Sequence, residues 1–585
     1  MYLEEHPNPT LARENWTDLN GIWKFRFDDK DEGRTQGWQN GFDAEYKIRV
    51  PFCYQSQKSG IGITEQHDIL WYSRLFHVNG TDAGKAVLIH FGAVDYACTV
   101  WVNGLYAGSH VGGGTHFTVD AAPCIHPGEN LLVVRSEDTY SCEIPRGKQC
   151  WQEELTRCWY TPTGGIWKSV WMEITEALYV RKLRITPDID RAEAGIELCL
   201  SRSSRCSVCA RVVFEGLPCQ ELQIKANGER VRFTVPVTEG DYIDDVRLWS
   251  PESPKLYQMR LTVQGEDQGG CDIVFTYFGM RKIEYRGREI FLNHQRLYQR
   301  LVLDQGYWPD SLMTPPDDQA IRRDIELTKA MGFNGSRKHQ KMEDARYYYW
   351  ADRMGLLVWG ECPSAYSFSA DSTVNIEREW AEFVEERYNN PCIIAWVPLN
   401  ESWGVRRILT DRRQQALAAS LYYLTKALDQ TRLVSTNDGW ETVEQSDLIG
   451  IHDYEADAGR FRARYADWER FLERGIDYKL PVCRNHRDRG LPVLLTEFGG
   501  IALADGDEKA WGYHEKAADT EAFLNRLDAI TTEIQKLDYC SGFCYTQLTD
   551  VIQETNGLLT AWRTPKIPLE SAAEIFGRKR EDKKP

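Results

Sequence analysis

The N-terminus, Met1-Tyr2-Leu3-Glu4-Glu5-His6-Pro7, lacks the basic segment and apolar stretch of a secretory leader, and no hydrophobic run approaches a membrane span. A cytoplasmic protein is therefore expected. An excess of positive charge is missing too. The 70 Lys and Arg against 87 Asp and Glu give a formal net charge of −17, which argues against a nucleic acid or an anionic membrane as partner. The 16 cysteines form no short-spaced framework. Cys206 and Cys209 make one Cys-x-x-Cys pair, but no second pair or histidine follows at zinc-like spacing, so reduced structural thiols are expected, with no metal and no cofactor. Linkers rich in Pro, Gly or Ser are absent as well, which predicts packed domains. What the chain has in abundance is tryptophan, 20 in 585 residues. Indole faces stack on the apolar faces of sugar rings, and they also fill sheet cores. The length predicts two to four domains.

Residues 1–178 read as all-β. Short segments at 21–27, 71–78, 85–91, 98–103 and 130–136 are separated by Gly, Asn, Asp and Pro turns, the pattern of a sandwich or jelly roll. Residues 179–278 have the length of one immunoglobulin-like sandwich, with the proline-broken stretch Trp249-Ser250-Pro251-Glu252-Ser253-Pro254 as a loop before a strand. From 279 to 585 apolar runs alternate with helical periodicity. Candidate strands are 297–302, 332–336, 356–359, 393–397, 433–436, 448–452, 493–496 and 542–545, and amphipathic segments include 317–331, 341–354, 374–388 and 410–428. Eight strand–helix units fit a (β/α)8 barrel better than an open sheet, whose edges would need charges this sequence does not place. Strands four and seven lead into Glu401 and Glu497. Carboxylates at the carboxyl ends of parallel strands face the barrel mouth, and two opposed carboxylates are the minimum equipment for hydrolysing a glycosidic bond.

Further motifs carry a family resemblance. Asn15-Trp16 with Leu19-Asn20-Gly21-Ile22-Trp23, Trp71-Tyr72-Ser73-Arg74, Trp101-Val102-Asn103-Gly104, Gly164-Gly165-Ile166-Trp167, Asn400-Glu401 and Thr496-Glu497-Phe498-Gly499 resemble glycoside hydrolase family 2, the group of β-galactosidases, β-glucuronidases and β-mannosidases. The resemblance implies a jelly-roll domain, an immunoglobulin-like β-sandwich and a catalytic TIM barrel. It implies retention of anomeric configuration, with Glu401 as acid/base and Glu497 as nucleophile. Asn400 is then expected to bind the sugar 2-hydroxyl and Tyr454 to hydrogen-bond the nucleophile. A retaining pair stands about 5 to 5.5 Å apart. Glu401 is expected to hold its proton through burial and a negative neighbour, and Glu497 to stay ionised beside a cation such as Arg337.

Other barrel-mouth residues are argued from position. Glu361 ends strand three, where it can touch substrate or tune Glu401. Arg337 and His339 end strand two, one residue closer together than the family spacing. Asp304 follows strand one, where the family holds a His-Glu or His-Asp pair, and His452 ends strand six. Trp403, Trp440 and Trp308 are candidate stacking walls. Two departures bear on the substrate. The glucuronidase Asn-x-Lys signature has no lysine in 548–558, although Lys338, Lys341 or Arg337 could replace it as the grip on a carboxylate. Glu361 is followed by Cys362-Pro363, without the magnesium-binding histidine of the large β-galactosidases. The expected function is an exo-acting retaining β-glycosidase, β-galactosidase-like, acting on a small glycoside or oligosaccharide. The alternatives are a β-glucuronidase or another β-hexosidase or arabinosidase, a transglycosylase, and a carbohydrate-binding protein without turnover. A homo-oligomer is compatible with all of them.

Overall fold

The computed structural model describes residues 2–80, 84–152, 154–238, 246–267, 269–504 and 511–578. Its N-terminal part stacks two antiparallel sheets. A six-stranded sheet runs Tyr46–Val50, Gly21–Phe27, Ile69–Val78, Gly128–Glu137, Ala97–Val102, Leu105–Val111. It faces a four-stranded sheet of Trp16–Asp18, Val170–Thr175, Ala86–Phe91 and Phe117–Asp120. Period-two alternation sends Trp23 and Phe25 inward, where they meet Tyr72, Ile89, Phe91 and Val134.

The second part is a five-stranded antiparallel sheet from Val180 to Phe278. A long hairpin, Glu193–Phe214 with Leu217–Pro236, shifts register between Cys199 and Ser204. Its first half pairs with Val180–Asp188 and its second with Tyr257–Gly265. Cys206 and Cys209, three apart on this strand, point to opposite faces, one buried and one half-buried, so they cannot close on one ion. All 16 cysteines are free thiols.

The third part is a curled sheet of eight parallel strands: Gln299–Asp304, Gly335–Lys338, Leu357–Glu361, Ile393–Val397, Leu433–Val434, Ile449–Asp453, Val493–Gly499 and Cys540–Thr546. We number them one to eight. Each lies where the sequence places it. The hydrogen-bonded order is five, four, three, two, one, eight, seven, six, which leaves a seam between five and six. Helices Asp318–Ala330, Ala345–Met354, Ala370–Glu386 and Arg412–Leu428 follow strands one to four. The expected eighth-fold regularity fails at strand five, where residues 435–448 carry no helix. That stretch is rich in Ser, Thr, Asn and Asp, residues that satisfy backbone groups locally and compete with a helix. The seam is closed instead by Asp447, whose N–H donates to Val434 O and whose carboxylate accepts from Val434 N, both at 2.9 Å. His452 N adds a bond to Gly439 O at 3.1 Å. Among the described residues, no helix is long and apolar enough to cross a membrane.

The three parts pack directly. Buried Arg13 donates to Asp272 at 2.7 Å, to Glu173 at 2.6 Å and to Val180 O at 2.7 Å, tying the jelly roll to the second sheet. The 110–116 turn of the jelly roll docks on the helix after strand three. There Gly113 N bonds Glu379 at 3.0 Å and Thr115 Oγ1 bonds Glu382 at 2.6 Å. Removing the Arg13 charge leaves buried Asp272 without a cation and Glu173 with only the His6 and His90 rings, at 3.0 and 3.4 Å. Arg13→Met is expected to cost about 3–5 kcal/mol of unfolding free energy, read by denaturant titration; a loss under about 1 kcal/mol would refute the packing argument.

Candidate active site

Residues from all eight strand ends meet at the carboxyl mouth of the barrel, where eight-stranded barrels build their sites. Arg337, on strand two, is fully buried at the centre. Its Nε donates to Glu361 Oε2 at 2.6 Å, Nη2 to Asn400 Oδ1 at 2.5 Å, and Nη1 reaches Asp438 Oδ2 at 2.7 Å and Glu497 Oε1 at 3.2 Å. Burial opposes its charge, and the carboxylates of Asp438, Glu361 and Glu497 outweigh burial.

Glu497 sits where the pairing of strand seven slips against both neighbours, a bulge that aims the side chain into the mouth. Its second oxygen accepts from Tyr454 Oη at 2.5 Å. Tyr454 is held by a face-to-face stack on Tyr513, with centroids 3.4 Å apart, and by Thr546 at 3.2 Å. Glu401 stands opposite. One oxygen of each glutamate and a nitrogen of His452 lie within 4.8 Å of one another. Glu401 and Ser402 adopt left-handed backbone, φ +51° and +56°, a conformation costing about 1–3 kcal/mol per residue that surrounding bonds must enforce. The loop after strand five supplies them: Glu401 N donates to Asp438 O at 2.8 Å and Ser402 N to Asn437 Oδ1 at 3.0 Å.

Asn400 gives its oxygen to Arg337, so its Nδ2 points elsewhere and has no partner among the described residues. A buried donor left free beside two carboxylates suits a sugar hydroxyl. Trp440 is similar: its ring lies edge-on to His452, with centroids 5.5 Å apart, and its Nε1 is buried without a partner. Trp403 joins Trp159 and Tyr366 in an aromatic wall, with centroids 5.6 and 5.5 Å away. Trp159 comes from the jelly-roll domain, so that wall crosses a domain boundary.

Other expected residues stand behind the site. Glu361 has no exposure, and its oxygens accept from Arg337 Nε and the Gln340 N–H, so it is bound to Arg337 and makes no bond to Glu401. His339 Nδ1 lies 3.0 Å from Glu361 but off the axis of a hydrogen bond. Burial, with Arg337 and Lys148 nearby, keeps this imidazole neutral. Asp304 pairs with Lys338 at 2.9 Å and accepts from Gly306 N. Trp308 packs between Lys341 and Arg563, at 5.3 and 4.7 Å, with its Nε1 buried and without a partner among the described residues. The cations proposed to grip a carboxylate are spent as well. Lys338 pairs with Asp304 and Glu343, and Lys341 with Glu343, Gly306 O and Met313 O.

With this geometry in hand, the comparisons are informative. Family models match in three consecutive blocks: the sugar binding domain of glycosyl hydrolases family 2 at 16–142, the family 2 model at 178–281 and its TIM barrel domain at 283–576. The chain belongs to glycosyl hydrolases family 2. It is 23% identical to a beta-glucuronidase of Paenibacillus borealis over 624 residues, covering 98% of each chain. It is 26% identical to a beta-galactosidase of Thermoanaerobacter pseudethanolicus over 408 residues, 66% of this chain and 50% of that protein. The chain spans about half the length of several such relatives. Among solved structures, a Ruminococcus gnavus beta-glucuronidase superposes with a TM-score of 0.79 at 18% identity, over 98% of this chain and 99% of that one. That likeness establishes the fold.

Sequence reasoning missed three residues of this family 2 site. Asp438 follows strand five as Glu401 follows strand four, and the same strand-end logic finds it. Tyr513 and Lys148 offered no such signal, because one lies in a long loop and the other in another domain. Asp438 matters through His452. The imidazole Nε2 lies 3.1 Å from Asp438 Oδ2, and Nδ1 lies 2.7 Å from Glu401 Oε1 and 3.5 Å from Glu497. Burial favours the neutral ring, but the Glu497 charge and the bonds to Asp438 and Glu401 push the His452 pKa up to about 10. Burial raises Glu401 in turn, yet the bond from His452 and its charge outweigh that and hold Glu401 below its ordinary value. The expectation of a raised Glu401 is thus corrected: the proton rests on His452, one hydrogen bond away.

Because the folded pKa of His452 exceeds the unfolded value near 6.5, its stabilising contribution is complete below about pH 6.5 and lost as pH rises toward 10. The difference in unfolding free energy between wild type and His452→Gln is expected to be flat in acid and to shrink across that window. A difference that grows with pH would contradict a charged His452.

Proposed function

We propose that this chain is a retaining, exo-acting β-glycosidase that removes a terminal hexopyranosyl unit from a small glycoside or oligosaccharide. The observation that carries the reading is the convergence of Glu401 and Glu497 oxygens to within 4.8 Å, each held by separate donors. That spacing suits direct attack on the sugar and leaves no room for the intervening water of an inverting pair. Relatives named for glucuronides and for galactosides supply the range of sugars.

In the first step a Glu497 oxygen bonds to the anomeric carbon as the glycosidic C–O bond breaks, and the departing oxygen takes a proton from Glu401. That proton reaches Glu401 from His452 through their 2.7 Å contact, so Glu401 is a carboxylate and His452 neutral once the leaving group has gone. The two events reinforce each other. Once Glu497 becomes an ester its charge disappears, and with it the largest attraction holding the proton on His452. In the second step Glu401 takes a proton from water and passes it back to His452, the water oxygen bonds to the anomeric carbon, and the ester bond to Glu497 breaks. Asn400 Nδ2 and Trp440 Nε1 are the free donors for ring hydroxyls. Trp159, Trp403 and Tyr366 wall one side, which favours a chain end over an internal unit.

Leaving-group dependence separates the two glutamates. Glu401→Gln is expected to slow nitrophenyl glycosides by about 10²–10⁴-fold. A dinitrophenyl glycoside, whose leaving group needs no proton, should still give a burst followed by slow turnover. Glu497→Gln should give neither burst nor turnover. A burst from the Glu497 variant, or full activity in either, would refute the roles.

A further inference from the structure

The jelly-roll loop 146–150 inserts one cation into the barrel mouth that the mechanism above does not use. Arg146 N and Gly147 N both donate to Ser364 O of the barrel, at 3.0 and 3.1 Å, and Tyr366 Oη donates to Gly147 O. Gly147 has φ +59°, and a side chain there would collide with the Gln340 carbonyl, so only glycine permits this approach. Lys148 follows, 4% exposed, with its ammonium 5.4 Å from the Tyr160 ring centre and 5.6 Å from that of Trp403.

Among the described residues the one carboxylate within 4 Å of this ammonium is Glu554, at 3.9 Å, beyond hydrogen-bond length. Glu554 is already engaged, since Oε2 accepts from Tyr160 Oη at 2.5 Å and Oε1 from Asn556 Nδ2 at 3.2 Å. Burial opposes the Lys148 charge, and Cys158, Glu554, Glu497 and Glu401 together outweigh it. A desolvated ammonium caged by aromatic rings, without a hydrogen-bonded carboxylate, is costly, and a neutral hydroxyl would be served as well by an amide. An anionic substrate group offsets that cost. Glu554 and Asn556 also belong to the loop after strand eight, where the resemblance places the lysine of glucuronidases. The sequence leaves that lysine out, and the structure brings Lys148 to the same loop from another domain.

We propose that Lys148 is a specificity-determining residue that binds the C6 carboxylate of a β-hexuronide, making uronides and not neutral hexosides the substrate class. This rests on the retaining-glycosidase reading. A single lysine matches a single negative charge, so a carboxylate is favoured over a phosphate dianion.

The test compares nitrophenyl β-D-glucuronide and β-D-galacturonide with the matching glucoside and galactoside and with a 6-phospho-glycoside. The wild type is expected to favour at least one uronide over its neutral counterpart by about 10- to 100-fold in kcat/KM, the worth of one charge-assisted hydrogen bond. Lys148→Met should collapse that ratio and Lys148→Arg should keep part of it. The wild-type ratio needs no variant, so it decides the substrate class even where Lys148→Met fails to fold. Preference for a neutral hexoside or a 6-phospho-glycoside, or equal losses on uronide and hexoside in Lys148→Met, overturns the assignment. Failure of the underlying reading looks different: no glycoside in the panel is turned over, and 2-deoxy-2-fluoro glycosyl fluorides leave Glu497 unlabelled.

Discussion

One buried guanidinium organises this barrel. Arg337 rises from strand two and binds Glu361 of strand three, Asn400 after strand four, Asp438 after strand five and Glu497 of strand seven. Five strands are thereby held to one point by charge-assisted bonds, which are shorter and stronger than neutral ones. The consequences propagate outward. Fixing the Asn400 oxygen frees its nitrogen for a ligand. Fixing Asp438 sets the loop whose carbonyl holds Glu401 in its left-handed turn and places the acceptor that keeps His452 protonated. Satisfying one Glu497 oxygen leaves the other to Tyr454, so the nucleophile is oriented from two sides.

That hub explains a distribution of protons which a count of carboxylates would get wrong. Two acids in a buried cleft suggest that one keeps its proton by desolvation alone. Here a histidine stands between three carboxylates, and Glu401, the proposed acid/base, lies one hydrogen bond from it. The shift is driven chiefly by the charge of Glu497, so in the proposed mechanism forming the covalent bond weakens the hold on the proton that the leaving group needs. Glu401 and Glu497 are linked through His452 and not merely placed side by side.

Much of the fold was legible in the sequence because the barrel strands are buried on both faces and therefore read as continuous apolar runs. Strands such as Ile393–Val397 and Val493–Gly499 emerge that way, strand two, Gly335-Ser336-Arg337-Lys338, does not, and the carboxylates at the ends of strands four and seven follow from position. The missing fifth helix was not legible, since the polar stretch after Val434 was read as an interval between strands and its local hydrogen bonding is a tertiary fact. Side-chain partners were the other limit. Asp304, Glu361 and Trp308 occupy positions that could face a substrate, and the sequence did not show that Asp304 pairs with Lys338, Glu361 with Arg337, and Trp308 lies between Lys341 and Arg563. Lys148 illustrates the reverse case. It sits in a β domain more than 250 residues before either glutamate, and nothing local marks it. It reaches the cleft because Gly147 lets one domain press its backbone against another.

The central claim is that Glu401 and Glu497 act on a single anomeric carbon from opposite sides of one sugar. The most direct measurement is proton NMR of the anomeric region during the first minutes of hydrolysis of a β-glycoside substrate. The account predicts that the β-anomer of the free sugar appears first and the α-anomer only later, by mutarotation. Initial release of the α-anomer would show single displacement by water, and would contradict a covalent bond to Glu497.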